Sequence, residues 1–283
     1  MVRILNLAGR LALAVGDGAV DVETASGGSF AADVQSVYAR WPEFREWAAG
    51  FRGQPTTQID ERDLGAPVPR PPQVFAIGLN YREHAEEAGL DLPERPMVFT
   101  KFPAAVTGPY DDIMLPPGSV DFEVELVAVI GRRAEHVPVD EAWQYVAGLT
   151  VGQDLSEREL QTAGPAPAQF SMGKSFTGFA PIGPALVTPD EFRDPDDLEL
   201  GCILTGTQMQ KARTGDMIFA IPQIIAFLSS VLPLLPGDLI FTGTPSGIGW
   251  ARRPKRLLTP GDELVTYAEG IGEMRHHFVA TAR

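Results

Sequence analysis

Asp121-Phe-Glu-Val-Glu-Leu-Val-Ala-Val-Ile-Gly131 sets two carboxylates, Glu123 and Glu125, at the head of an apolar run rich in β-branched residues. Such a run, stopped by a glycine, reads as a β-strand over 124–130, and a strand turns alternate side chains to opposite faces. Glu123 and Glu125 therefore point the same way. Two bare carboxylates buried side by side are strongly disfavoured unless they are compensated. The pair thus requires a cation or a proton between its members.

Working outward, the chain has 283 residues, 44% of them hydrophobic, enough for one large domain or a main domain with a small appendage. A formal net charge of −14 argues against a nucleic-acid partner, which needs a basic face. Cys202 is the only cysteine, so no intrachain disulfide is possible, and the first residues lack the pattern of a signal peptide. A cytoplasmic location is expected. The uncharged stretch Met217 to Gly237 is interrupted by Pro222, Pro233 and Pro236, so a core helix over 223–232 is expected rather than a membrane span.

Residues 2–24 read as short strands joined at Gly16-Asp-Gly18, followed by a helical pattern over 34–51 with Trp41, Phe44 and Trp47 on one face. Ala66-Pro-Val-Pro-Arg-Pro-Pro72 favours a stiff, extended conformation. The expected division is a small N-terminal domain (1–66), a Pro-rich linker (67–73) and a main domain (74–283). Strand-like runs at 74–78, 122–130, 147–153, 200–205, 238–242 and 263–268 are separated by Pro/Gly turns, with few helical stretches between them. The fold class is mainly β with added helices (α+β).

Several further residues carry chemistry. Asp154 follows an apolar run at a strand end. After it, Ser156-Glu-Arg-Glu159 has the form of a capping box, and Arg158 and Gln161 then share one helical face. Asn80-Tyr-Arg-Glu83 has the same form, putting His84 and Glu87 on one face, where a carboxylate can orient an imidazole as a base. Taken alone, that pair reads equally as a surface ion pair. Lys174 is a cation between apolar and small residues, either seeking an anion or snorkelling from a loop. Thr242-Gly-Thr-Pro-Ser-Gly-Ile-Gly249 is a Gly-rich turn whose amides and hydroxyls suit a carboxylate; it lacks the lysine of a P-loop. Glu123, Glu125 and Asp154 offer only oxygen, which suits Mg²⁺, Mn²⁺ or Ca²⁺ rather than Zn²⁺. Tyr81, Phe102, Tyr110, Phe170 and Phe176 either line a pocket or belong to the core.

Gly-Leu-Asn-Tyr-x-x-His84-x-x-Glu87, Asp121-Phe-Glu123-Val-Glu125-Leu, Asp154-x-Ser-x-Arg158-x-x-Gln161, Gly-Lys174-Ser and Pro-Gly-Asp-x-Ile-x-Thr-Gly-Thr-Pro-Ser-Gly247 occur in that order. In this combination, roughly over 73–279, the chain resembles the fumarylacetoacetate hydrolase family. The resemblance implies a mixed β-roll, a homodimer, and Mg²⁺ or Mn²⁺ (Ca²⁺ in a crystal) held by Glu123, Glu125 and Asp154. It further implies a small-molecule 2-oxo acid bound through Arg158, Gln161 and Thr244. His84, oriented by Glu87, would activate water, with Lys174 and Gln161 stabilising an oxyanion. The implied reaction is hydrolysis of a carbon–carbon bond in an acylpyruvate-type 2,4-dioxo acid. The alternative is decarboxylation or isomerisation of oxaloacetate-like or hydroxymuconate-type acids at the same site. A third reading is a non-catalytic binding protein with a structural Ca²⁺ site. Thr205-Gly-Thr207 and Gln169-Phe170 depart from the family pattern, while Gln210 is retained.

Overall fold

A computed structural model describes residues 2–89 and 91–281. Its central strand is Val124–Ile130, buried at every position. That burial has a two-sided cause. Leu126, Ala128 and Ile130 face one core, while Val127 and Val129 face a second on the opposite side. A strand covered on both faces reads as a continuous apolar run rather than an alternation.

In the large sheet the neighbours run Gly18–Asp21, Arg10–Val15, Arg3–Leu7, Ala180–Val187, Val146–Gln153, Val124–Ile130, Leu239–Phe241, Val74–Gly78 and Met97–Thr100. All these pairings are antiparallel except that of 239–241 with 74–78. A second sheet orders Thr207–Arg213, Glu199–Leu204, Glu263–Ala268, Gly272–Ala280 and Ile113–Leu115. The first core lies between the sheets, where Leu200, Cys202, Leu264 and Met274 meet Leu126 and Ala128. The mixed β architecture expected from the sequence is present.

The second core joins the N-terminal segment to the rest. Tyr38, Trp41 and Phe44 pack on the side of the large sheet that carries Val127 and Val129, and Arg3–Leu7 pairs directly with Ala180–Val187. Residues 67–73, expected to link two units, run between parts of one sheet. Pro67, Val68 and Pro71 are buried, and the Pro67 carbonyl accepts from the Tyr38 hydroxyl at 2.8 Å.

Ala180–Val187, Thr207–Arg213 and Gly272–Ala280 are the longest of the strands that the sequence reading did not include. Ala180–Val187 contains Pro181 and Pro184, which cannot donate to a ladder, and its pairing shifts register between Leu149 and Val151. Thr207–Arg213 is a largely polar strand at the end of the second sheet. In Gly272–Ala280 buried Met274, His276 and Phe278 alternate with more exposed residues. The expected 223–232 helix is found at Ile221–Ser229 with Pro222 in its first turn. The Gln223 side chain accepts there from the Ala220 amide at 2.8 Å. Among the described residues no helix is long and apolar enough to cross a membrane.

The Pro236-Gly-Asp238 turn delivers the chain into the 239–241 strand. Asp238 Oδ2 accepts from the Leu235 amide and from Gln73 Nε2, both at 2.7 Å, while Oδ1 has no partner among the described residues. Burial pushes the Asp238 carboxyl up to about 6. A raised carboxyl gives stability that is full below its unfolded value near 3.8 and is lost as pH rises through about 6. Asp238→Asn keeps an acceptor for both donors. Its melting temperature relative to the parent should therefore rise between pH 5 and pH 8; a pH-independent difference would contradict this account.

Candidate active site

The carboxylates converge because two adjacent strands end together. Val124 pairs with Gln153 and Glu125 with Gly152. Beyond the ladder, the Asp154 amide donates to the Glu123 carbonyl at 2.9 Å, and the Glu123 amide donates to Gln153 Oε1 at 2.8 Å. Glu123, Glu125 and Asp154 are all buried, and one oxygen of each lies within 4.8 Å of the others. The sequence-expected triad is thus assembled.

Their compensation is uneven. Lys174 Nζ donates to Glu123 Oε2 at 2.8 Å, Asp154 Oδ2 at 2.6 Å and Ser156 Oγ at 2.8 Å, which uses all three ammonium hydrogens. Lys101, fully buried, reaches Asp154 Oδ1 at 2.5 Å. Arg158 donates to Asp121 Oδ2 from Nε (2.9 Å) and Nη2 (2.7 Å), and its Nη1 lies 2.6 Å from Glu123 Oε1. Burial works against ionising Glu123, but Lys174 and Arg158 prevail and hold it well below the usual carboxylate range.

Glu125 is different. Among the described residues it has no cationic partner, and its hydrogen bond comes from the Gly243 amide at 2.7 Å. Burial, reinforced by Asp154 and Glu123, drives its carboxyl well above the ordinary range. The proton-or-cation requirement read from the sequence therefore falls on Glu125 specifically. An all-oxygen donor set with one uncompensated carboxylate fits a hard divalent cation.

Both expected capping boxes are corrected by the structure. The Arg158–Thr162 helix is capped by Glu157, which accepts from the Glu159 and Leu160 amides, whereas Ser156 is taken by Lys174. The Arg82–Ala88 helix has Tyr81 at its N-cap, and Gly89, at φ 68°, ends it in the left-handed conformation that glycine adopts freely. Asn80 lies in a buried cross-link instead. Its Nδ2 donates to the Thr242 (2.7 Å) and Phe219 (2.9 Å) carbonyls, and its Oδ1 accepts from the Phe219 amide. Tertiary partners outbid the local caps at both places.

The Gly-rich turn does cradle carboxylates, and they are the protein's own. Gly243 donates to Glu125, Gly247 to Glu87 at 3.1 and 3.2 Å, and Gly249 to Asp121 at 2.8 Å. A side chain at Gly243 would meet Asn80 Cβ at 2.6 Å, so only glycine permits this approach. Ser246 Oγ donates to Glu83 at 3.1 Å, which docks the 82–88 helix on the turn. On that helix His84 Nδ1 lies 3.3 Å from Glu87 Oε2. This pairing leaves Nε2 as the free basic nitrogen.

Two amides aim the remaining polar groups. Gln161 Oε1 accepts from Arg158 Nη1 at 3.0 Å, leaving its NH₂ group available. Gln210 Nε2 donates to Thr244 Oγ1 at 2.8 Å, leaving the threonine hydrogen available to a ligand. A cavity of about 240 Å³ is lined by His84, Glu123, Glu125, Asp154, Arg158, Gln161, Lys174 and Thr244, with Met97, Phe99 and Phe170 among its apolar walls. Glu87 stands behind His84 rather than in that wall. Of the five aromatics that the sequence offers to a pocket, Phe170 lines this cavity; Tyr81 is buried, Tyr110 and Phe176 pack on the core, and Phe102 is exposed.

Lys101, Asp121 and Gln210 are structural members of the site to which the sequence reading gave no role. Lys101, in Phe99-Thr-Lys-Phe-Pro103, carries the signal that singled out Lys174: one cation in apolar surroundings.

Comparison with known proteins bears on the whole region. A family model described as fumarylacetoacetate (FAA) hydrolase C-terminal matches residues 73–279. The bovine mitochondrial oxaloacetate tautomerase FAHD2A is 44% identical over 209 residues, 73% of this chain and 66% of that protein. The chain thus spans just under two thirds of the length of that curated relative. A Mycobacterium smegmatis protein crystallised under the HpcE name is 54% identical, with a TM-score of 0.94 over 99% of this chain and 100% of its own. Maleylpyruvate hydrolase from Sphingobium sp. SYK-6, solved with manganese(II) and pyruvate, is 27% identical, with a TM-score of 0.79 over 99% of this chain and 100% of its own.

Proposed function

The chain belongs to the fumarylacetoacetate hydrolase family, and from that premise we propose that it is a divalent-metal-dependent enzyme acting on 2-oxo acids by proton transfer at C3. The observation that carries the reading is one cavity holding the carboxylate triad and an imidazole backed by Glu87. Glu123, Glu125 and Asp154 would hold Mn²⁺ or Mg²⁺. Bound there, the cation would supply Lewis-acid stabilisation of the negative charge that develops on the 2-oxo oxygen.

The chain's own residues do the rest. His84 Nε2 takes a proton from C3, the C–H electron pair becomes the C2=C3 bond, and the carbonyl π pair moves to the oxygen. Returning the proton to that oxygen completes keto-to-enol conversion; the reverse order gives the ketone. Glu87 accepts from Nδ1 and so supports the imidazolium. Thr244 and Gln161 donate to substrate oxygens. Arg158 acts through Gln161 and Glu123, whose positions it fixes. Met97, Phe99 and Phe170 exclude water from the acid's carbon chain.

Carbon–carbon hydrolysis of an acylpyruvate is the second reading, favoured by the similarity to maleylpyruvate hydrolase along nearly the whole chain. It asks for donors at a distal oxyanion, and Lys174, expected to be one, has its three hydrogens committed to Glu123, Asp154 and Ser156. Proton transfer makes no such demand and accords with the 44% identity to an oxaloacetate tautomerase. The test is a panel of oxaloacetate, acetylpyruvate and fumarylpyruvate with Mn²⁺ in D₂O and in ¹⁸O water. Metal-dependent deuterium entry at C3 is expected. No exchange with any of them would sink the proposal, and ¹⁸O in a product carboxylate would promote hydrolysis to the main reaction.

A further inference from the structure

Val120–Asp121 pairs antiparallel with Ser156–Glu157, and just beyond that short ladder the Arg158 amide donates to the Ser119 carbonyl at 2.9 Å. Asp121 and the start of the Arg158–Thr162 helix are thereby brought side by side. Asp121 is fully buried, and backbone amides pin both its oxygens. Oδ1 accepts from Phe122 and Gly249 at 2.9 and 2.8 Å, and Oδ2 from Trp250 at 2.9 Å. A side chain at Gly249 would run into the Arg256 carbonyl oxygen and meet Asp121 Oδ1 at 2.6 Å, so only glycine lets the chain close on this carboxylate.

So held, Asp121 dictates how Arg158 lies. Arg158 Nε and Nη2 both donate to Oδ2, at 2.9 and 2.7 Å, and because the guanidinium is a rigid planar fork its Nη1 then projects the other way. Nη1 meets Glu123 Oε1 at 2.6 Å and Gln161 Oε1 at 3.0 Å. The second contact bears on ligand binding. The oxygen and nitrogen ends of a glutamine amide are alike in shape, so the partner of one end decides what the other end presents. With Oε1 taken by Arg158, the NH₂ end of Gln161 is left for the cavity. Asp121 itself stands outside the cavity wall and outside the carboxylate triad. Charge balance does not account for it. Glu123 already gives Arg158 a buried anionic partner, and one more carboxylate adds like charge beside a cluster in which Glu125 lacks a cation among the described residues.

We propose that Asp121 is a positioning residue for the reaction: acting through Arg158, it sets the polarity of Gln161, so that the amide presents hydrogen-bond donors to the substrate oxygens. This inference rests on the function proposed above, in which Gln161 donates to the substrate, and adds what fixes that donor. Asp121→Asn keeps the size and one acceptor. Its NH₂ group must then confront either the Phe122 and Gly249 amides or the Trp250 amide and the Arg158 donors. Either orientation sets donor against donor. Once Arg158 is displaced, Gln161 is free to turn its oxygen to the substrate, where it repels the oxygens it otherwise binds.

A double-mutant cycle tests it, with the parent, D121N, R158Q and D121N/R158Q each saturated with Mn²⁺. Calorimetry gives the affinity for pyruvate, and deuterium entry at C3 of oxaloacetate gives KM and kcat. D121N should weaken pyruvate binding and raise KM by about 10-fold, with kcat within about 3-fold of the parent, since what is lost is a hydrogen bond made to substrate and transition state alike. In the R158Q background the same change should cost less than about 2-fold, because the route to Gln161 is already cut. Equal losses in both backgrounds would place the action of Asp121 on the Gly249 and Trp250 amides instead, and no loss in either would leave it without a role; each result overturns the inference and leaves the proposed function standing. Should D121N alone not fold, D121N/R158Q, which removes both charges, still decides by comparison with R158Q: a match within about 2-fold supports the inference, and a further loss of about 10-fold overturns it. If the parent binds pyruvate but exchanges no deuterium into oxaloacetate above the protein-free rate, the proposed function fails and the pyruvate affinities still decide the part of Asp121. A parent that does not bind pyruvate overturns both.

Discussion

Glu125→Gln should leave the fold intact while removing divalent-cation binding and nearly all turnover. The glutamine has the same shape and still accepts from the Gly243 amide, and it replaces a carboxyl that lacks an ion-pair partner among the described residues and is driven towards its protonated form. What is lost is the negative charge that a cation needs. Affinity for Mn²⁺ should fall by more than the 10–100-fold typical of losing an outer-shell partner. Turnover should fall by about 10²–10⁴, corresponding to several kcal/mol of charge stabilisation. Stability follows the opposite sign. In metal-free buffer the parent gains from the raised Glu125 carboxyl at low pH and loses that gain as pH rises through the raised value. The variant's melting temperature relative to the parent should therefore climb with pH. Glu123→Gln makes the contrast, because it strips an anion from both Lys174 and Arg158 inside the protein. Breaking such buried pairs destabilises by about 3–5 kcal/mol. If thermal melts and Mn²⁺ titrations rank the two variants alike on both axes, the division of labour drawn here between Glu123 and Glu125 is wrong.

His84→Gln should separate chemistry from metal binding. Gln retains a polar side chain near Glu87 but cannot take a proton, and loss of a positioned base typically lowers the rate by about 10²–10⁴. Mn²⁺ affinity should be unchanged, because His84 is not among the three carboxylate donors. Deuterium exchange into C3 should fall in step with kcat, and KM should move little. Exchange that persists at the parent rate would remove His84 from the proton-transfer role and point to another base.

Much of the site was legible along the chain because its signals are local. A strand of period 2 puts Glu123 and Glu125 on one face wherever that strand lies, and His84 and Glu87 share a helical face by spacing alone. The alternation of Met274, His276 and Phe278 in 272–280 is equally local. The capping boxes were local readings of another kind, correct in pattern and overridden in fact. Asn80 lies 139 and 162 residues from the carbonyls that its amide engages, and Ser156 accepts from a lysine 18 residues away.

The amino-acid sequence settled that two carboxylates must share a face and a compensating charge, and that oxygen donors favour a hard cation. It could not say which carboxylate lacks compensation. That depends on Lys174, 51 residues from Glu123, on Lys101, 53 residues from Asp154, and on Arg158, 37 residues from Asp121. Those cations are brought in by other parts of the chain, and together they neutralise every member of the cluster except Glu125. Ion pairing in a buried site is decided by distances of a few ångströms, which strand order and loop closure set and which spacing along the chain does not encode.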